Sequence, residues 1–164
     1  MPKTPENSRS GLISLLATGL GAGLLPRAPG TWGSLLATLL AWPMAIIWGQ
    51  AGLLIAAIAV FLIGIPVSSA YVEQTGRDDP GEVVIDEFAG QWLTLVVAVT
   101  ATGPNVVLFV AGFLLFRVFD VIKPWPIRMV DQRVKGGFGI MIDDVLAAVP
   151  AGVLLYGFAQ LMGS

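Results

Sequence analysis

The sequence contains no cysteine and no histidine. Those absences exclude disulfides, thiolate nucleophiles, phosphohistidine chemistry and any zinc or iron site built on imidazole or thiolate. Charge is scarce too: Asp, Glu, Lys and Arg make up 12% of the 164 residues, against 55% hydrophobic residues and a mean hydropathy of +0.82. Such a chain is far too apolar for an ordinary soluble domain, and the balance predicts a small integral membrane protein. No stretch points to nucleic acid. Any catalysis is left to carboxylates, hydroxyls and cations.

Hydropathy predicts an all-α, polytopic membrane helix bundle with about five spans, at 33–48, 53–70, 84–101, 106–122 and 145–161. Residues 1–10 are polar and expected to be disordered, which leaves 11–164 as one membrane-embedded domain. The apolar run 11–25 is glycine-rich. It is too short to cross roughly 30 Å of hydrocarbon at about 1.5 Å per residue, so it predicts an interfacial or re-entrant helix. Thr31 and Ser34 can cap the helix that follows the Arg27 loop. The turns at 49–52 and 100–105 carry no charge. With five crossings, all nine Lys/Arg and all eleven Asp/Glu fall on one face, which the positive-inside rule makes cytoplasmic.

The charges gather in 116–144, which separates two apolar segments and holds nearly half of them. Arg117, Asp120 and Lys123 recur every third residue at the end of one predicted span, which keeps them on one side of the helix. Asp86 and Glu87 begin another span, and Asp143 and Asp144 stand at the head of the last. Three helix ends at one depth can bring these five carboxylates together. An all-oxygen, hard environment of that kind suits Mg²⁺ rather than zinc. Arg27, Arg117 and Lys123 are cations for an anionic group, most naturally a phosphate.

Plainer roles exist for each residue. A lone boundary acid serves as a helix cap, Arg117 as the ion-pair partner of Asp120, and Lys123 as a snorkelling interface residue. Asp78 and Asp79 suit loop caps. Arg128, Asp131, Arg133 and Lys135 suit a solvated face on lipid headgroups.

The blocks GLLPRAPGTWGS (23–34), VVIDEFAGQWLTL (83–95) and FRVFDVIKPWPIRMVDQRVKGGFGIMIDD (116–144) resemble the phosphatidylglycerophosphatase A family. The resemblance extends over about residues 11–156. It implies a multi-pass enzyme of the bacterial inner membrane, with its active site on the cytoplasmic side. The implied reaction is Mg²⁺-dependent hydrolysis of phosphatidylglycerophosphate to phosphatidylglycerol and phosphate, a step of phospholipid biosynthesis. Carried over by position, the family's Asp-Glu pair falls on Asp86 and Glu87. Its Arg-x-x-Asp-x-x-Lys-Pro falls on Arg117, Asp120, Lys123 and Pro124, and its Asp-Asp on Asp143 and Asp144. The five acids are then the expected catalytic and metal-binding set, and Arg27, Thr31, Arg117 and Lys123 the expected substrate-binding set. Two other classes fit less well. A CDP-alcohol phosphotransferase would need an Asp-Gly-x-x-Ala-Arg run, which is missing, and a transport subunit would need polar residues through the membrane depth.

Overall fold

The structure, a computed structural model, describes residues 5–163. Among them the chain is all α, with no strand: α1 (Pro5–Ala17), α2 (Pro29–Thr75), α3 (Ile85–Thr102), α4 (Val106–Ile122), α5 (Ile127–Arg133) and α6 (Gly136–Gly163), with one 3₁₀ turn at Ala22–Leu24. Two helices, Pro29–Thr75 and Gly136–Met162, are long and apolar enough to cross a membrane by length and composition. Of the stretch 1–10 expected to be disordered, residues 1–4 lie outside the described residues and 5–10 form the first turns of α1. The short N-terminal helix is present, and the backbone turns sharply after it through positive φ at Gly19, Leu20 and Gly21.

α2 is two limbs rather than one rod. A straight helix of 47 residues would be about 70 Å long. Yet a Cβ at Gly33 would run into Val84, while Tyr71 packs in one cluster with Val83 and Ile85. Both ends of α2 therefore meet the start of α3. The reversal sits at Gly49, whose φ of 63° and ψ of −160° break the helical path. Only glycine adopts that conformation cheaply, and the turn falls where the uncharged 49–52 segment predicts one.

The centre of the bundle is α3. Ala37, Ala41, Ala45, Leu53 and Ala57 of the two α2 limbs pack against Phe88, Trp92, Leu95 and Val99. Small residues on α2 let the bulky α3 face approach closely, and Trp92 Nε1 donates to the Ala37 carbonyl at 2.8 Å. On its other side α3 meets α4 and α6, where Phe116, Ala147, Ala148 and Ala151 form a second core. The outer surface is inverted relative to a soluble protein, with large apolar side chains such as Leu39, Ile47, Ile55 and Leu62 exposed. A lipid surrounding satisfies them and water does not.

Two helix starts differ from expectation. The N-cap of α2 is Ala28, with no side-chain cap hydrogen bond, so Thr31 and Ser34 do not cap it. α6 begins at Gly136, nine residues before the expected 145. Asp143 and Asp144 thus lie about two turns inside a helix, not at its dipole end, and need another source of stabilisation.

Candidate active site

α3, α4 and α6 deliver the five predicted acids to one place. Asp86 and Glu87 occupy the first turn of α3, Asp120 the last turn of α4, and Asp143 and Asp144 the second and third turns of α6. Together they line a cavity of about 140 Å³, with Lys123 beside them. At about 10–15 Å³ for each water-sized occupant, it has room for several waters or ions. Oxygens of Asp86, Asp143 and Asp144 lie within 4.8 Å of one another, and so do oxygens of Glu87, Asp120 and Asp144. Asp144 belongs to both groups.

The burial of these acids is severe. Glu87, Asp143 and Asp144 are 6%, 6% and 3% exposed. Carboxylates so placed cost several kcal/mol each unless charge or hydrogen bonds compensate. Glu87 is compensated. Arg117 Nη1 donates to both its oxygens at 2.5 and 2.6 Å and pairs with Asp120 Oδ2 at 2.8 Å, while Ser34 Oγ donates to Glu87 Oε2 at 2.5 Å. Gly30 closes over this pair, because a Cβ there would collide with Glu87 Oε1 and crowd Arg117. Asp143 is compensated as well, since Lys123 Nζ bridges Asp143 Oδ2 at 2.5 Å and Asp131 Oδ1 at 2.6 Å. Burial works against the Lys123 ammonium, but those two carboxylates outweigh it and hold its pKa above the usual lysine value. Burial also works against Asp131, yet the hydrogen bond from Lys123 keeps its carboxyl below the usual range.

Asp144 has no such hydrogen bond: its Oδ2 is buried without a partner. That orphaned oxygen, on the acid shared by both carboxylate groups, fits a divalent cation with oxygen ligands. The charge balance points the same way. Asp78, Asp79, Asp86, Glu87, Asp120, Asp131, Asp143 and Asp144 line the cavity against Lys123 and Lys135. A cavity so negative repels phosphate until cations neutralise it.

The substrate-binding set divides. Lys123 faces the cavity and does not snorkel outward. Arg117 stands behind it, in the ion pair with Asp120 that the sequence offered as its plainer role and in a second one with Glu87. Arg27 lies on an exposed loop with a positive φ of 63°, and neither it nor Thr31 lines the cavity. Five contributors escape the sequence. Asp78 and Asp79 line the cavity rather than merely capping a loop, Asp131 anchors Lys123 rather than facing headgroups alone, and Ser34 serves Glu87. Lys135, expected on the headgroup face, also borders the cavity.

Comparison with known proteins gives the cavity its setting. A Haemophilus influenzae protein named phosphatidylglycerophosphatase A is 41% identical over 150 residues, covering 92% of this chain and 90% of its own. An Escherichia coli protein of the same name is 42% identical over 146 residues, covering 87% and 80%. A Bacteroides thetaiotaomicron relative, 37% identical over 149 residues, is provisionally named a phosphatidylinositol-3-phosphatase. No solved structure matches. The phosphatidylglycerophosphatase A family model matches residues 15–159, from the end of α1 almost to the end of α6 and so across every acid of the cavity, and the chain belongs to that family.

Proposed function

We propose that this protein hydrolyses the phosphomonoester of phosphatidylglycerophosphate, releasing phosphatidylglycerol and phosphate, with Mg²⁺ as cofactor and as a step in phospholipid synthesis. The observation that carries the reading is the convergence of five carboxylates from three helices around Asp144, whose Oδ2 lacks a partner, in a member of this family. Asp86, Asp143 and Asp144 would hold one cation, and Glu87 and Asp120 complete a second group through Asp144. Bound there, Mg²⁺ neutralises charge and lowers the pKa of a water. The chain's own residues do the rest. Lys123 Nζ, held at the cavity by Asp131 and Asp143, offers its ammonium to phosphate oxygens. Arg117 fixes the Glu87 and Asp120 carboxylates, and Ser34 orients Glu87 from behind. A carboxylate oxygen in this group takes the proton of the attacking water.

Purified protein in detergent should release phosphate from phosphatidylglycerophosphate with Mg²⁺ and stop when EDTA is added. Preference for a phosphorylated phosphatidylinositol, or turnover undiminished by EDTA, would count against the substrate or the cofactor respectively.

The reading includes a topology. In it the limbs 29–48 and 50–75, then α3, α4 and α6, cross a bacterial inner membrane, with the acid-bearing ends toward the cytoplasm. The motivation is the absence of charge from the turns at 49–52 and 100–105. Cysteines placed at Gln50 and Asn105 should react with an impermeant thiol reagent added to intact cells, and one at Arg77 should stay protected. The reverse pattern would invert the orientation.

A further inference from the structure

A groove of about 550 Å³ runs between α3 and α6, lined almost wholly by apolar side chains. Its floor on α6 is Ala148 and Gly152, and its wall on α3 is Leu93 and Val97. Thr100 and Tyr156 mark its far end. The floor is low because Gly152 has no side chain: a Cβ there would already lie 3.2 Å from Val97 Cγ2.

The groove is aligned with the acidic cavity on both helices. Asp144 and Ala148 are four residues apart on α6, and Asp86 and Leu93 seven apart on α3, spacings that keep each pair on one helical face. Each helix thus carries an acid of the cavity and, further along the same side, the apolar stripe. The length decides what fits. From Val145 to Tyr156 the stripe covers about 16 Å at 1.5 Å per residue, which is half of the roughly 30 Å hydrocarbon thickness. A partner's transmembrane helix would need a seam through both leaflets. One acyl chain needs one leaflet.

We propose that this groove binds one acyl chain of the lipid whose phosphorylated headgroup enters the acidic cavity, and so sets preference for chain length. The inference rests on the lipid phosphatase reading above and adds to it the site that holds the tail. Gly30, Glu87 and Arg117 belong to the headgroup end and are untouched by it.

The test compares palmitoyl and hexanoyl phosphatidylglycerophosphate on wild type, Gly152→Leu and Val149→Trp. Val149 lies on the exposed rim, so its replacement leaves the α3–α6 packing intact even if Gly152→Leu disturbs it. Filling the groove forces the tail out of it and shifts the attached headgroup over the acids, so kcat/KM for the palmitoyl substrate should fall at least about tenfold. Turnover of the hexanoyl substrate should stay near wild type. Equal losses on both substrates, or no loss on either in Val149→Trp, would overturn the proposal. Occupancy is read separately from turnover with a phosphatidylglycerol carrying a photoreactive diazirine in its tail. Crosslinks in wild type should map to 93–100 and 145–156 and fade in Val149→Trp. Crosslinks spread over the whole apolar surface, or protein–protein crosslinks through this face, would reject the groove as a tail site. A wild type that takes up the lipid here yet releases no phosphate would instead reject the phosphatase reading.

Discussion

Replacing Asp144 by Asn should lower Mg²⁺-dependent phosphate release by at least about a hundredfold, because metal activation of water and phosphate is worth several kcal/mol and each 1.4 kcal/mol is a factor of ten. Asp144 is the acid to choose because both carboxylate groups use it and its Oδ2 has no other partner. The replacement keeps the side chain's size and one carbonyl oxygen. Stability should move the opposite way. At 3% exposure and surrounded by Asp86, Glu87, Asp120 and Asp143, the carboxylate is a source of repulsion in the metal-free protein. The Asp144→Asn variant should therefore keep its thermal midpoint in EDTA unchanged or higher, and it should show a smaller upward shift with Mg²⁺ than the wild type does. A control at the exposed cavity rim, Asp78→Asn, should lose less than about tenfold. Wild-type turnover in both Asp144→Asn and Asp86→Asn would remove the metal site altogether.

The limits of the sequence show in which residues it placed well. α4 was legible to the residue because both ends carry local signals: Asn105 accepts from the Leu108 N–H at 3.2 Å as N-cap, and Lys123-Pro124 stops the helix. The convergence of the acids was legible because the charged residues stand at the ends of apolar runs of similar length, which parallel packing brings together. The start of α6 was not. Gly136-Gly137-Phe138-Gly139 reads as a turn, but Gly137 is helical and glycine there admits α2, since a Cβ would strike the Ile65 carbonyl and Ser69. That is a tertiary requirement with no local signature. The same holds for Ser34, whose partner Glu87 is 53 residues away, and for Asp131, which sits on α5 and reaches back to Lys123. Residues that act through long-range pairing look, in sequence, like caps and surface charges. Arg27 is exposed and does not line the cavity, which the PRAPG motif alone does not reveal.

Removing the guanidinium of Arg117 should be as damaging to the fold as removing the Asp144 carboxylate is to the chemistry. Arg117 is the cation that holds Glu87 and Asp120 together, and the three side chains are 15%, 8% and 12% exposed. Breaking a buried pair by deleting one partner costs about 3–5 kcal/mol, because the remaining charges stay buried and uncompensated. For a chain of this length that corresponds to a fall of roughly 6–20 °C in the thermal midpoint. Arg117→Met, which keeps the apolar stem, should show it when the protein is unfolded in detergent with EDTA. Mg²⁺ should recover part of the loss, since a cation shared by Glu87, Asp120 and Asp144 replaces the missing positive charge. Arg117→Lys should recover part of it without metal, because Nη1 alone meets both Glu87 oxygens and Asp120 Oδ2 and an ammonium can carry the same charge there on a shorter side chain. The double variant Arg117→Met with Glu87→Gln discriminates further. If the cost of the single change comes from stranding Glu87, neutralising Glu87 should restore much of the stability, a coupling that independent surface charges would not show. Simple additivity of the two changes would mean that Arg117 stabilises the bundle through its stem and not through its charge.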